Sequence, residues 1–457
     1  PSVIILGFTG SIGSGCTFIS RKIPEISKHN YKHFKLSDII RKHLDKTGFK
    51  DRVSIEVMQN IGNELRNDHG REYLIKTLID NIFSEKEKYE DCNEIIIDGI
   101  KNTEEINYLR SFPYFFLFSI QADREIRLRR SIGKIVTCGP EFLEADKRDE
   151  VESYEYGQQV KACDYLADII LLNNDLIPDF PDSKKEEYIR SIYIKYIVPI
   201  EILREGKHSP DIKPSIDEFS MTTAYAISKM SSCEKRKVGA VIVDIHKPEG
   251  GVITNKDKKI TEIPFIVSTG YNEVPVGSYM CIYDPEYQKC YRDYRQEQYA
   301  PKLKFCPNCG KRIEIKIECK NCSEIYDKFV KICKKCHKEI DSQVICDCGK
   351  NIFLEFLPGG KETPGKLLDL CRSLHAEENA LLNLVKIGRK SNENIILYTT
   401  TQPCNLCANK IVAAGIKKVV FAEPYLMEES KKILDRGGVE VIRFQGVKSS
   451  AYFRLYQ

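Results

Sequence analysis

The chain lacks any marked excess of one charge: 70 lysines and arginines face 66 acidic residues over 457 positions, a net +4 at neutral pH. A dedicated duplex-DNA binder would carry a dense basic stripe, so that class is set aside. No apolar run reaches the ~20 residues that span a bilayer. The opening residues, PSVIIL, enter a strand-like run without a basic lead or a small-residue cleavage site. A soluble, cytoplasmic protein without a membrane partner is expected. There is no long internal repeat, and the length suits two or three domains with packed cores. A last absence is smaller and more telling. Residues 10–17 read GSIGSGCT, with Gly10, Gly15 and Thr17 at phosphate-loop spacing and Gly13 between them, yet Cys16 stands where the lysine belongs.

Cysteine, by contrast, is abundant, at 18 residues. Eight lie between Cys306 and Cys348 and two more at Cys404 and Cys407, all in metal-ligand spacings. In a reducing compartment such pairs read as zinc sites rather than disulfides. The scattered remainder read as buried small hydrophobes.

Along residues 1–180, apolar strand-length runs (Val3–Leu6, Glu94–Ile97, Tyr114–Ile120) alternate with helical patterns such as VSIEVMQNIGNELR. This is the pattern of a parallel α/β sheet covered by helices on both faces. Residues 181–214 hold a helix and a proline-broken linker, and a second α/β region runs over 215–457. A cysteine-rich minidomain, residues 300–352, interrupts it.

Two segments of the second region carry the chemistry, SLHAEENALLNLV and TTTQPCNLCANKIVAAGIKKVVF. Each reads as a helix start, with Pro403 suited to the first turn. Cys404 and Cys407 are one helical turn apart, so their sulfurs share a face, and a helix N-terminus favours thiolates. His375 supplies a third ligand and leaves a fourth position for water, as a catalytic zinc requires. The spacing H-x-E followed by P-C-x-x-C is the zinc-deaminase signature, in which Glu377 is a proton shuttle and not a ligand. A structural zinc knuckle would have no need of that carboxylate.

The flanking segments EFSMTTAYAISKMSSCEKRKVGAVIVD, STGYNEVPVGS, CRSLHAEENALL and PCNLCANKIVAAGIKKVVFAEPY together resemble the dCMP deaminase family over about 215–281 and 371–430. The resemblance implies a cytidine-deaminase-like α/β/α domain with zinc on His375, Cys404 and Cys407 and proton transfer by Glu377. It also implies that Asn272 contacts the nucleotide sugar or phosphate. Tyr271 and Tyr425 either line the base pocket or pack in the core.

In the insertion, Cys306 and Cys309, Cys319 and Cys322, Cys333 and Cys336, and Cys346 and Cys348 provide enough thiols for two structural zinc ions, paired in sequence order or interleaved. The segment is either a metal-stapled zinc-ribbon minidomain or a regulatory or nucleic-acid-touching surface, since lysines and tyrosines intersperse the pairs. His337 reads as exposed rather than as a ligand.

The first domain resembles nucleoside-monophosphate kinases and dephospho-CoA kinases. By that resemblance Arg41 in LSDIIR grips an acceptor phosphate, Asp98 ends the acidic strand near magnesium, and Arg127, Arg129 and Arg130 in ADREIRLRR sit in the lid. A solvated basic face is the alternative for those arginines. Backbone amides of a glycine loop hold phosphate without the lysine, but the cation that follows charge onto a transferring phosphoryl group is gone. The domain is expected to bind a nucleotide, with Mg2+, as a sensor rather than transfer phosphate; a ligand-free scaffold is the alternative.

A lysine-less phosphate loop joined to a dCMP-deaminase-like domain resembles the bacterial antiviral deoxycytidylate deaminases. That family converts dCMP and dCTP to the uracil forms, starves a replicating phage, and is held back by a restraining partner such as a small inhibitory RNA. The resemblance also implies a homo-oligomer. Two further readings stay open: a polynucleotide editor using the zinc insertion to grip the strand, and a non-catalytic sensor.

Overall fold

The computed structural model describes residues 3–46, 54–84, 93–150, 152, 155–174, 181–207, 212–246, 262–299, 370–388, 394–424 and 428–456, with three short strand pairs besides. The chain forms two compact units, one of Pro1–Ser231, Val238–Tyr271 and His375–Gln457, the other of Ser232–Lys237 and Asn272–Leu374.

Within the first unit, strands β1 (Ile4–Thr9), β2 (Lys32–Lys35), β3 (Glu94–Asp98), β4 (Tyr114–Gln121) and β5 (Ile169–Leu172) pair in parallel in the order β5-β4-β1-β3-β2. Alternate residues face opposite cores. Ile4, Leu6 and Phe8 enter one with Phe116 and Phe118, and Ile5 enters the other with Ile95, Ile97 and Phe115. Burial on both faces is why these strands read as continuous apolar runs rather than alternating ones. Helix α1 (Cys16–Ile26) follows the phosphate loop and seats Ile19 and Ile23 in the first core. Within residues 181–214, set apart by sequence as helix and linker, Asp182–Ile192 and Val198–Arg204 are helical and joined by one π turn. Their Ile192, Tyr196, Ile197 and Ile200 complete that same core, each worth roughly 1.5–3 kcal/mol of burial.

The second sheet contains β6 (Gly239–His246), β7 (Ile263–Tyr271), β8 (Ile395–Thr401), β9 (Lys418–Glu423) and β10 (Glu440–Arg443). Its order is β7-β6-β8-β9-β10, antiparallel as far as β8 and parallel beyond. Helix α2 (Ile216–Ser228) covers one face, where Met221, Ala224 and Tyr225 meet Val241, Val243, Tyr398 and Val420. Helix α3 (Ala376–Lys386) lies on the other face. There Gly270 permits the contact: a Cβ at that position would stand 2.2 Å from the Ala376 carbonyl oxygen. Ser268 Oγ donates to the Ala380 carbonyl (2.6 Å) and Asn383 Nδ2 to that of Thr269 (2.9 Å), which fixes the helix along the strand. Helix α4 (Asn405–Ala413) follows β8.

The chain end returns to the first sheet. Strand β11 (Gly446–Val447) pairs antiparallel with β5, and helix α5 (Ser449–Leu455) inserts Ala451 and Leu455 into the first core. An unpaired β5 edge is thereby covered. Glu218 of α2 is fully buried and accepts from the Val447 amide (2.9 Å) and the Tyr456 hydroxyl (3.0 Å), knitting the two sheets together.

In the second unit, Ile317–Glu318 pairs antiparallel with Ile325–Tyr326, and Val344–Ile345 with Asn351–Ile352. Each hairpin brackets one cysteine pair in sequence, Cys319 with Cys322 in the first and Cys346 with Cys348 in the second. The expected structural zinc ligands Cys306, Cys309, Cys319, Cys322, Cys333, Cys336, Cys346 and Cys348 all lie outside the described residues, as does His337. Among the described residues no helix is long and apolar enough to cross a membrane.

Candidate active site

Both halves of the motif end up at helix N-termini for local reasons. After β8, the Gln402 amide donates to the Glu423 carbonyl (2.9 Å), Pro403 turns the chain, and Cys404 becomes the extended cap residue of α4. His375 is the extended cap residue of α3. Lys410 of α4 pairs with Glu378 of α3 (2.6 Å) and holds the two starts together.

The result is a compact ligand set. His375 Nδ1 lies 3.3 Å from both the Cys404 and the Cys407 sulfurs, and the three ligand atoms all fall within 4.8 Å of one another. Around a tetrahedral zinc, bond lengths of ~2.0 Å to nitrogen and ~2.3 Å to sulfur place those atoms about 3.5 Å apart. The group therefore fits Zn2+ with little rearrangement. The hydrogen bond from Cys407, and then His375, lower the Cys404 thiol.

Glu377 sits in the first turn of α3, 4% exposed, with Oε2 3.7 Å from the Cys407 sulfur. Burial pushes its carboxyl up to about 7; nearby His375 opposes the shift and Cys404 adds to it. A carboxyl poised near neutrality beside a three-ligand centre suits proton transfer in both directions.

Of the expected substrate contacts, Tyr271 ends β7 half-buried, its carbonyl accepting from Asn379 Nδ2 (2.7 Å). Asn272, in the second unit, is buried and donates from Nδ2 to the Arg236 carbonyl (2.9 Å). Tyr425 lies outside the described residues.

The phosphate loop borders a cavity of about 570 Å³ lined by Gly10, Gly13, Gly15, Cys16, Thr17, Asp98 and Arg130 among others. Gly15 has φ 91°, and a Cβ there would meet Asn173 Nδ2 at 2.2 Å, so only glycine suits. In place of a cation, the Cys16 thiol donates to Asp98 Oδ1 (3.2 Å), and Thr17 Oγ1 donates to Oδ2 (2.7 Å). Burial, then the Asp98 charge, push that thiol well above its ordinary range, so it is a neutral donor. Arg130 reaches the carbonyls of Gly13, Ser14 and Asn173.

Two expected phosphate contacts point elsewhere in this structure. Arg127 is 6% exposed, paired with Asp146 and bonded to the Ile12 carbonyl (3.1 Å), so it braces the loop from beneath. Arg41 is turned to Asp38 (2.9 Å) on its own helix and does not line the cavity. Sequence reasoning missed Lys35, Lys101 and Asn173, which do line it. Of these, Lys101 had a signal that could have found it, three residues past the acidic strand end; the others are brought in by topology.

The His/Cys/Cys group beside its buried carboxylate is a donor set that could hold zinc. The family model described as the cytidine and deoxycytidylate deaminase zinc-binding region matches residues 214–423. A deoxycytidylate deaminase of Enterobacteria phage T4 is 30% identical over 225 residues, 48% of this chain and 84% of that one. One from Schizosaccharomyces pombe is 24% identical over 364 residues, 78% of this chain and 79% of its own, a match too long to lie in either sheet domain alone. The N-terminal part is similar to a UPF0200 protein of Methanococcus maripaludis, 28% identical over 194 residues, 42% of this chain and 98% of that one. The chain belongs to the deoxycytidylate deaminase family.

Proposed function

We propose that the chain hydrolyses the 4-amino group of deoxycytidine nucleotides, dCMP and dCTP, to give deoxyuridine nucleotides and ammonia, with the phosphate-loop domain as a nucleotide-binding regulator. The observation that carries the reaction is the buried Glu377 carboxyl set against the His375, Cys404 and Cys407 group. Those three side chains would hold Zn2+, which when bound makes water a nucleophile at neutral pH. Glu377 would accept the proton released by the attacking water, pass it to the ring nitrogen, and protonate the departing amine. The proton count closes: water adds across the C4–N3 double bond, the proton left on the new C4 hydroxyl goes by way of Glu377 to the 4-amino group, and C4=O forms as the C4–N4 bond breaks and ammonia leaves.

Support for the regulator comes from the cavity and the way it is tied in. Asn173, just past β5, donates to the Ser14 carbonyl (2.7 Å) of the loop, while the adjacent Leu172 amide donates to Gln445 (3.4 Å) at the start of the returning tail. An occupied loop would therefore bear on β11 and, through Glu218, on α2. With Cys16 neutral, nucleotide binding without phosphoryl transfer is the expected behaviour. The pairing of these two domains resembles the antiviral deaminases, so nucleotide depletion during phage infection, oligomerisation, and restraint by a small RNA or other partner belong to this reading.

Mass spectrometry of purified protein incubated with nucleotides, single-stranded DNA and RNA tests the reaction. Uracil forms of dCMP or dCTP with ammonia release are expected; turnover on the polymers alone would overturn it in favour of an editor. Loss of the dCTP pool on phage challenge in cells carrying the chain, and its absence with Glu377→Ala, tests the defence role.

A further inference from the structure

Glu423 ends β9 half-buried, and the loop that carries Cys404 runs beside it. It pairs with Thr401 in the last rung of the β8–β9 ladder. Its carbonyl then accepts from the amide of Gln402, two residues before Cys404 (2.9 Å). At the next residue, Ser430 Oγ donates to the Pro403 carbonyl (2.5 Å). The backbone that brings Cys404 to the head of α4 is thus held at two consecutive residues, one of them by the main chain of Glu423.

The Glu423 side chain serves a different partner. Tyr225 of α2 packs against the second sheet and donates its hydroxyl to Glu423 Oε1 (2.8 Å). Lys448, in the returning tail, is buried with its ammonium 5.2 Å from the centres of both the Tyr225 and Tyr165 rings. The Lys448 amide donates to the Asp168 carbonyl (2.7 Å) and its ammonium to that of Tyr165 (2.6 Å). Burial lowers the ammonium, and Glu423 opposes that shift ahead of Asp164 and Asp168. The two charges therefore act on each other inside the protein, where attraction is stronger than in water. Asp168 directly precedes β5, whose far end leads to Asn173 against the phosphate loop.

Any nearby carbonyl would satisfy a buried tyrosine hydroxyl. Here it takes a carboxylate whose own backbone sets a ligand loop and whose charge faces the tail. We propose that Glu423 is a positioning residue of the deaminase centre, which passes the position of the tail, through Tyr225 and Lys448, to the loop that places Cys404. This rests on the deaminase reading above and names the residue by which the phosphate-loop domain reaches the metal group.

Tyr225→Phe, which removes the donor and keeps the ring, and Glu423→Gln, which keeps an acceptor and removes the charge, test it in the full chain. Each should lower kcat on dCMP about 3–10-fold with KM little changed, since a small misplacement of a reacting group is felt in the chemical step. With Co2+ in place of zinc, each should shift the ligand-field bands at unchanged metal content. The double variant should lose no more than the larger single loss, because both changes break one contact. Lys448→Met, which removes the cation of the tail, should shift the same bands in the same direction as Glu423→Gln. Should it not fold, Gln445→Ala, which releases the tail from the Leu172 amide, takes its place. Unchanged bands in any of these variants, additive losses in the double, or a rise in KM alone would overturn the proposal. A chain that shows the band shifts but turns over no dCMP would sink the proposed reaction and leave this contact standing.

Discussion

Cys16 and Cys404 both stand at helix starts, the first as the opening helical residue after Gly15 and the second as the extended cap residue of α4, and they do opposite things. Each stands at a helix N-terminus after a loop shaped by glycine or proline, where the helix dipole favours an anion. Yet the Cys16 thiol is pushed up by burial and by Asp98, while the Cys404 thiol is lowered by the Cys407 hydrogen bond and His375. The difference lies in the partner: a carboxylate makes the first cysteine a donor, and a second thiol with an imidazole makes the other a ligand. A helix end supplies a bias of about 0.3–1 kcal/mol, which one adjacent charge outweighs. The phosphate loop keeps its shape and loses its cation, whereas the deaminase centre keeps both shape and charge.

The sharpest way to break this comparison is to remove the carboxyl proposed to move protons at the second centre. Glu377→Gln keeps the size and the burial but not the exchangeable proton, and turnover on dCMP should fall about 10²–10⁴-fold. Metal content should not change, because Glu377 lies outside the three-ligand group. Retained turnover, or loss of zinc, would show that the carboxyl is structural.

The joint between the two regions comes next. Glu218 is fully buried and accepts from Val447, Tyr456 and its own cap residue Ser215. Glu218→Ala strands those donors and should cost about 1–3 kcal/mol, read as a lower urea midpoint. Glu218→Gln, which keeps an acceptor, should lose less. Equal stability of the two variants would mean that the returning tail is held by α5 packing alone.

A smaller effect separates burial that serves chemistry from burial that serves the joint. Asp164 is raised to about 6, by burial first, against the Ser119 hydrogen bond and the charges of Arg443, Lys448 and Arg127. Its folded value lies above the ordinary one of 3.8. Its contribution to stability is therefore full at low pH and lost as pH rises through about 6. Asp164→Asn should flatten the fall in melting temperature between pH 5 and pH 7, with turnover unchanged; an unaltered slope would assign the pH dependence elsewhere.

Much of this was legible in the sequence wherever a local pattern carries the information. The strand runs at Ile4, Glu94 and Tyr114 are continuous because both faces are buried, and the H-x-E and P-C-x-x-C spacings fall at two helix starts that converge. What stayed hidden depends on distant pairings. Nothing local marks Gly446 and Val447 as the edge partner of β5, nor Asn173 as the residue against the loop. Arg127 looked like a phosphate ligand because charge is visible in a sequence and its buried partner Asp146 is not.

The least disruptive change probes the first half of the comparison. Cys16→Lys restores the residue that phosphate chemistry uses and places its ammonium against Asp98, where Lys35 Nζ already stands 3.9 Å away. Asp98 would gain a second cation, and Thr17 would keep its bond to Oδ2. A phosphate-bearing ligand should then bind more tightly, since the loop gains charge without losing its backbone donors. Turnover on dCMP alone, with no second nucleotide added, should stay close to that of the unmodified chain, because neither Cys16 nor Asp98 belongs to the His375, Cys404 and Cys407 group. The nucleotide dependence of turnover should shift with the binding. Equal loss under every nucleotide condition would instead mean that the phosphate loop supports the deaminase only as a scaffold.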